Sequence, residues 1–182
     1  IFSSPRLWWM FKYFGFSKVY ILDGGLKKWK KENKILTNKI TKPKIGNFMP
    51  FENKKLLSEK IDILNTIRSS NTLIIDARSK NRFLGKEREP RKGLRKGRIP
   101  SSKNLYWKNI INKDGTIKKN KELKEIFEKL NIKKEKQLIS TCGSGITACI
   151  LNITFAKMNY KNISVYDGSW SEWGSDKSLP II

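Results

Sequence analysis

The sequence predicts an α/β fold, a mostly parallel sheet flanked by helices. Three observations carry this. From residue 58 onward, short apolar runs of strand character alternate with helix-period segments, the pattern of a sheet covered on both faces. The end of the chain repeats the plan of its beginning in fixed register. And a glycine-rich loop bearing Cys142 sits between a strand and a helix, where open α/β sheets hold their sites.

Taken in order, residues 3–14 are expected as a helix rich in aromatics (Trp8, Trp9, Phe11, Tyr13, Phe14), ended by Gly15. Residues 19–22 (Val-Tyr-Ile-Leu) are expected as a strand, Asp23-Gly24-Gly25 as a turn, and residues 26–31 as a short segment carrying Trp29. Residues 36–57, with Pro43, Gly46 and Pro50 among many Lys and Asn, are expected as a linker. Residues 58–69 are expected to be helical with Ser58 as cap, and residues 72–75 to form a strand ending at Asp76-Ala77-Arg78. A long basic loop follows over 79–102. Residues 104–106 return to strand, and Asp114-Gly115 turns. Residues 121–130 form an amphipathic helix with Leu123, Ile126, Phe127 and Leu130 on one face. Residues 137–140 are the strand before Cys142, residues 148–158 the helix after it, and residues 163–166 a last strand.

The repeat needs no gap. Asp23 falls on Asp167, Gly24 on Gly168 and Trp29 on Trp173. By the same offset, Phe2-Ser3-Ser4 falls on Ile146-Thr147-Ala148. The first copy is therefore expected to be cut inside its own version of the Cys142 loop, as the end of a domain that begins upstream of Ile1. The expected division is residues 1–35 as that partial unit, 36–57 as linker and 58–182 as a complete domain. Trp8, Trp9, Phe11 and Phe14 are expected to lack part of their cover.

Composition narrows the function. The formal charge is +23, from 39 Lys and Arg against 16 Asp and Glu. The basic residues are mostly Lys and are spread along the chain without an arginine stripe, so no specific nucleic-acid partner is expected. No apolar run reaches membrane-spanning length. With no histidine in the chain, imidazole chemistry from its own residues is excluded. Two cysteines without paired spacing argue against a disulfide framework or a zinc site and suit a reducing, cytoplasmic setting.

Cys142 is the candidate nucleophile. Gly143 and Gly145 let the backbone fold tightly around one sulfur, and the loop over Gly143, Ser144, Gly145, Ile146 and Thr147 leads into a helix N-terminus. Inward N–H groups and the helix end would stabilise an anion on that sulfur and favour the thiolate. Cys149, inside the following helix, reads as core.

The motif Cys142-Gly143-Ser144-Gly145-Ile146-Thr147-Ala148 resembles the active-site loop of 3-mercaptopyruvate sulfurtransferases of the rhodanese superfamily. So do Asp76-Ala77-Arg78, the loop from Arg82-Phe83-Leu84-Gly85 to Glu89-Pro90-Arg91-Lys92-Gly93, and the run from Tyr166-Asp167-Gly168-Ser169-Trp170 to Gly174. Ser3-Ser4-Pro5-Arg6-Leu7-Trp8-Trp9 resembles the degenerate loop of the non-catalytic domain in these two-domain enzymes. The resemblance implies a rhodanese-like domain preceded by the C-terminal fragment of a first one. It also implies a persulfide on Cys142, formed from 3-mercaptopyruvate with release of pyruvate. The sulfur then passes to thioredoxin or another thiol, or to cyanide. It further implies Arg82 and Arg91 as the grip on the substrate carboxylate. Ser144 would bond the moving sulfur or the substrate carbonyl, Glu89 and Asp167 would support, and no cofactor or metal is needed. Where the family usually has Gly-His-Ile-Pro, this chain has Gly97-Arg98-Ile99-Pro100.

Three rivals compete. Thiosulfate sulfurtransferases resemble Cys-Arg-Lys-Gly in this loop, whereas Gly143 and Ser144 are uncharged. Phosphatase loops resemble Cys-x5-Arg, but Ala148 stands where that arginine would. A non-enzymatic sulfur carrier or basic binding module would need no substrate grip.

Overall fold

The apolar runs become a five-stranded parallel sheet in the computed structural model, which describes residues 2–182; Ile1, where the first copy is expected to be cut, lies outside the described residues. The strands are β1 (Leu57–Ser58), β2 (Thr72–Asp76), β3 (Lys103–Asn104), β4 (Gln137–Thr141) and β5 (Ile163–Tyr166), in the spatial order β1-β5-β4-β2-β3. The helices are α1 (Ser4–Tyr13), α2 (Gly25–Lys31), α3 (Lys60–Thr66), α4 (Lys80–Phe83), α5 (Asn120–Lys129), α6 (Ala148–Lys157) and α7 (Ser169–Trp173).

β4 is central, pairing with β2 from Thr72↔Gln137 to Asp76↔Thr141 and with β5 from Leu138↔Ile163 to Ser140↔Val165. Both faces of the sheet are covered, which is why β2, β4 and β5 are near-continuous apolar runs. On one face Leu73, Ile75, Leu138 and Val165 pack with Leu123 and Phe127 of α5 and with α6. On the other, Ile74, Ile139 and Tyr166 pack with Ile63 of α3 and with Trp170 and Trp173 of α7. α6 is apolar all round because it lies between the sheet and α1.

That sandwich corrects one expectation. Trp9 is not left bare: it is 3% exposed, belongs to the main core, and donates from Nε1 to Leu56 O at 3.0 Å. Trp8 packs against the same core, while Phe11 and Phe14 remain exposed.

The two copies share helices residue for residue, since α1 and α6 begin and end at matching positions. Two turn positions match too: Gly15 (φ +86°) answers Asn159 (φ +61°), and Gly25 (φ +61°) answers Ser169 (φ +49°), although Gly24 (φ +87°) and Gly168 (φ −56°) differ. The strands do not match. Residues 19–22, expected as a strand, form no regular element, and Tyr20 is 88% exposed; among the described residues no strand lies beside them.

Smaller differences have local causes. The helix expected over 58–69 starts at Lys60, because Ser58 belongs to β1 and its hydroxyl bonds Ser164 Oγ across the sheet at 2.7 Å. Glu59 takes the cap position, with its N–H on Asp62 Oδ2 at 2.8 Å. Leu57, in the stretch expected as linker, pairs with Val165. The strand expected over 104–106 is Lys103–Asn104, and Asn104 Nδ2 bonds the carbonyls of Asp76 and Arg78. The long loop over 79–102 contains α4.

Candidate active site

Parallel strands bring the loops after β2, β4 and β5 to one edge of the sheet. Cys142 follows the last residue of β4. Its residue is 1% exposed, yet it lines a cleft of about 480 Å³ with Arg82, Arg91, Ser144, Tyr106 and Trp107. The fold thus gathers the sequence-predicted residues Cys142, Gly143, Ser144, Ile146, Thr147, Arg82, Glu89 and Arg91 around one space.

One loop N–H is aimed at the Cys142 sulfur. Ser144 N–H points to Cys142 Sγ at 3.4 Å. The N–H groups of Gly145, Ile146 and Thr147 have no acceptor among the described residues. Ser144 Oγ likewise makes no hydrogen bond among them. β5 and α7 fasten the loop from behind. Ser169 Oγ accepts from Cys142 N at 3.2 Å and donates to Tyr166 O at 2.8 Å. Trp170 N and Ser171 N reach Cys142 O and Gly143 O, each at 2.9 Å.

Gly145 is required twice over. Its φ is +76°, and a Cβ there would lie 2.6 Å from Asp167 Oδ1 and 2.8 Å from Asp167 O. Gly143 is tight as well: a Cβ there would stand 2.9 Å from Arg82 Nη2, so the guanidinium lies against the loop.

The arginines are held differently. Glu89, whose side chain is 1% exposed, splits its carboxylate. Oε1 accepts from Arg78 Nη1 at 2.7 Å, and Oε2 from Arg82 Nη2 at 2.5 Å and Nε at 3.2 Å. Arg82 Nη1 has no acceptor among the described residues, so this fixed guanidinium keeps a donor for a ligand. Arg78 is fully buried against Asp76 (Nη2–Oδ2, 2.7 Å) and stacks on Trp170, 4.2 Å from the ring centroid. Burial opposes its charge, but Asp76 and then Glu89 outweigh that and raise its pKa. Arg91 is exposed and bonds Ser171 Oγ, which itself donates to Gly143 O at 2.5 Å.

Asp167 does not line the cleft. It stands behind the loop, paired with Arg6 of α1. Cys149 is fully buried and donates to Gly145 O at 3.2 Å. Burial pushes its thiol up to about 12, so it stays neutral at ordinary pH.

Sequence reasoning did not assign site roles to Arg78, Ser169, Ser171 and Trp107. Arg78 and Ser169 lay within stretches singled out for other reasons, and their contacts depend on loops meeting across the sheet edge. Trp107 carried no sequence signal, because its exposure to the cleft follows from a 3₁₀ turn over Trp107–Ile110.

A family model for the rhodanese-like domain matches residues 59–176. The chain belongs to the rhodanese-like family. This rhodanese chain is 37% identical over 181 residues to a 3-mercaptopyruvate sulfurtransferase of Escherichia coli K12, covering 100% of itself and 64% of that relative. It is 36% identical over 173 residues to a thiosulfate sulfurtransferase of Rattus norvegicus, covering 94% of itself and 58% of the relative. Among solved structures, SseA of Escherichia coli, described as a 3-mercaptopyruvate sulfotransferase with the rhodanese fold, matches with a TM-score of 0.79 at 34% identity. That match covers 94% of this chain and 63% of that one. The chain spans less than two thirds of the length of these relatives.

Proposed function

We propose that this chain is the catalytic part of a sulfurtransferase that takes sulfur from 3-mercaptopyruvate and gives it to a thiol acceptor or cyanide. The observation that carries the reading is the cleft itself: Cys142, the loop residues Gly143, Ser144, Ile146 and Thr147, and two arginines line one space of about 480 Å³.

The carboxylate of the donor fits between Arg82 and Arg91, where planar forks can bind it in a bidentate way. The Cys142 thiolate attacks the substrate sulfur. A Cys–S bond forms, the carbon–sulfur bond breaks, and its electron pair leaves as the enolate of pyruvate, which takes up a proton. The outer persulfide sulfur is anionic and lies within reach of the loop N–H groups. An acceptor thiolate then attacks that outer sulfur, and Cys142 returns as thiolate. Ser144, with an unengaged hydroxyl, is suited to bond the substrate carbonyl or the moving sulfur. Both electron-pair steps close without metal or cofactor. We read residues 1–35 as part of a first rhodanese-like unit and residues 58–182 as the catalytic one, and a thioredoxin-like protein as a suitable acceptor.

Incubation with 3-mercaptopyruvate, followed by intact-mass and peptide analysis, should show one added sulfur on Cys142 and stoichiometric pyruvate. Sulfur on Cys149, or none at all, would overturn the reading. Parallel incubation with thiosulfate separates the donors: faster persulfidation from thiosulfate than from mercaptopyruvate would make thiosulfate the preferred donor.

A further inference from the structure

Behind the Cys142 loop, one carboxylate joins the two ends of the chain. Arg6, in the first turn of α1, meets Asp167 end-on: Nη1 bonds Oδ1, and Nη2 bonds Oδ2 at 3.1 Å. The guanidinium also lies 4.7 Å from the ring centroid of Trp9, itself buried and tied to Leu56. Arg6 is therefore held in place by the core of α1.

The far side of the ion pair presses on the loop. A Cβ on Gly145 would stand 2.6 Å from Asp167 Oδ1 and 3.1 Å from Arg6 Nη1. The loop thus turns at Gly145 directly against the pair, one residue after the N–H that points at Cys142 Sγ. Cys149 holds the same residue from the helix side through Gly145 O. Neither Arg6 nor Asp167 lines the cleft, so any effect on chemistry passes through the loop.

The other copy crosses in the opposite direction. Asp23, the repeat counterpart of Asp167, accepts from Ile117 N at 2.8 Å. Each copy sends the aspartate of its Asp-Gly turn to the other part of the chain. Only the pair behind Cys142 uses arginine, whose two parallel N–H groups fix a carboxylate's orientation as well as its position.

We propose that Arg6 is a positioning residue: its fork clamps Asp167 against Gly145 and so sets the loop that presents Cys142 to the cleft. The N-terminal segment then belongs to the catalytic machinery although it touches no substrate. The proposal rests on Cys142 being the sulfur carrier.

The test uses the full chain with Arg6→Ala, Arg6→Lys, Asp167→Ala and the Arg6→Ala/Asp167→Ala double variant. Three quantities are measured on each: kcat and KM for 3-mercaptopyruvate, the rate of Cys142 alkylation by iodoacetamide, and the thermal midpoint. Misplacement of a reacting group by about 1 Å can cost about a hundredfold, so Arg6→Ala should lower kcat by about ten- to a hundredfold. KM should move by less than about threefold, because the carboxylate grip is untouched. Arg6→Lys should recover part of kcat. The double variant should be no slower than the slower single, as expected of two residues acting as one unit. Cys142 alkylation should change severalfold in Arg6→Ala.

A kcat that falls only in step with the unfolded fraction, with alkylation unchanged, would overturn the proposal. Additive losses in the double variant would do the same. Should Arg6→Ala not fold, Arg6→Lys carries the same comparison. If the unaltered chain transfers no sulfur from mercaptopyruvate or thiosulfate, the functional reading fails separately. The alkylation rates then decide the positioning claim, and equal rates would reject it.

Discussion

Residues 4–31 and 148–175 follow one plan with two outcomes. Both begin with a ten-residue helix, both end it at a residue of positive φ, and both open a second helix at another. Between these, Ile163–Tyr166 is a fully buried strand, whereas the equivalent residues 19–22 form no strand, with Tyr20 and Leu22 exposed. Helices and tight turns satisfy their backbone groups within a few residues, so each copy forms them alone. A strand has no internal hydrogen bonds and exists only beside another. β5 has β1 and β4 as neighbours; residues 19–22 have none among the described residues. Residues 148–175 also follow directly on the loop that carries Cys142 at the sheet edge.

Replacing that cysteine should have the largest effect. Cys142→Ser should abolish persulfide formation and sulfur transfer, while the fold survives, because a hydroxyl of similar size meets the same N–H groups. Retained turnover, read as pyruvate release, would remove Cys142 from the chemistry.

Next in size is the packing of α1. Trp9→Ala removes a buried indole and should destabilise by about 3–5 kcal/mol, judged from urea midpoints. Phe11→Ala, on the exposed side of the same helix, should change stability by less than about 1 kcal/mol. Equal costs at the two positions would mean that α1 is an appendage and not part of the core.

How much of this was legible beforehand follows from the same contrast. The central strands β2, β4 and β5 were readable because burial on both faces leaves plain apolar runs, and α5 because its apolar stripe is one-sided. β1 and β3 were missed or shifted because two-residue strands carry no period. Residues 19–22 look like β5 in sequence, and nothing local reveals the lack of neighbours. In the site, Cys142 with Gly143 and Gly145 stood out because tight turns around a sulfur demand glycine. The Arg6–Asp167 pair did not, since it joins residues from opposite ends of the chain whose individual types are unremarkable.

Carboxylate recognition should show a middle-sized effect. Arg82→Ala or Arg91→Ala removes a charged hydrogen bond, which is worth about 1.5–3 kcal/mol, or roughly tenfold and upward in KM for mercaptopyruvate. Arg82→Ala should be the worse, because it also strands the buried Glu89 carboxylate with only Arg78. Lys at either site should rescue only in part. An unchanged KM in both Ala variants would remove the arginines from substrate binding.

The smallest expected effect is the most direct test of the two copies, because it exchanges their residues at one backbone position. Gly25 and Ser169 are equivalent and both hold positive φ, at +61° and +49°. A Cβ at Gly25 would meet nothing within 4 Å, so Gly25→Ser should cost only backbone strain, about 1–2 kcal/mol. Ser169→Gly relieves that strain but removes a hydroxyl engaged with Cys142 N and Tyr166 O, two bonds worth about 0.5–1.5 kcal/mol each. The two contributions oppose, so its stability should shift by no more than about 2 kcal/mol. Its turnover should nevertheless fall, because the freed Cys142 N–H no longer fixes the start of the loop. Stability alone would therefore make serine at 169 look like an arbitrary choice, and rate measurements would reveal its use. If Ser169→Gly raised both stability and turnover, the hydroxyl would be idle and the strained serine would have no physical justification. If Gly25→Ser cost nothing, positive φ would not be what the two copies share.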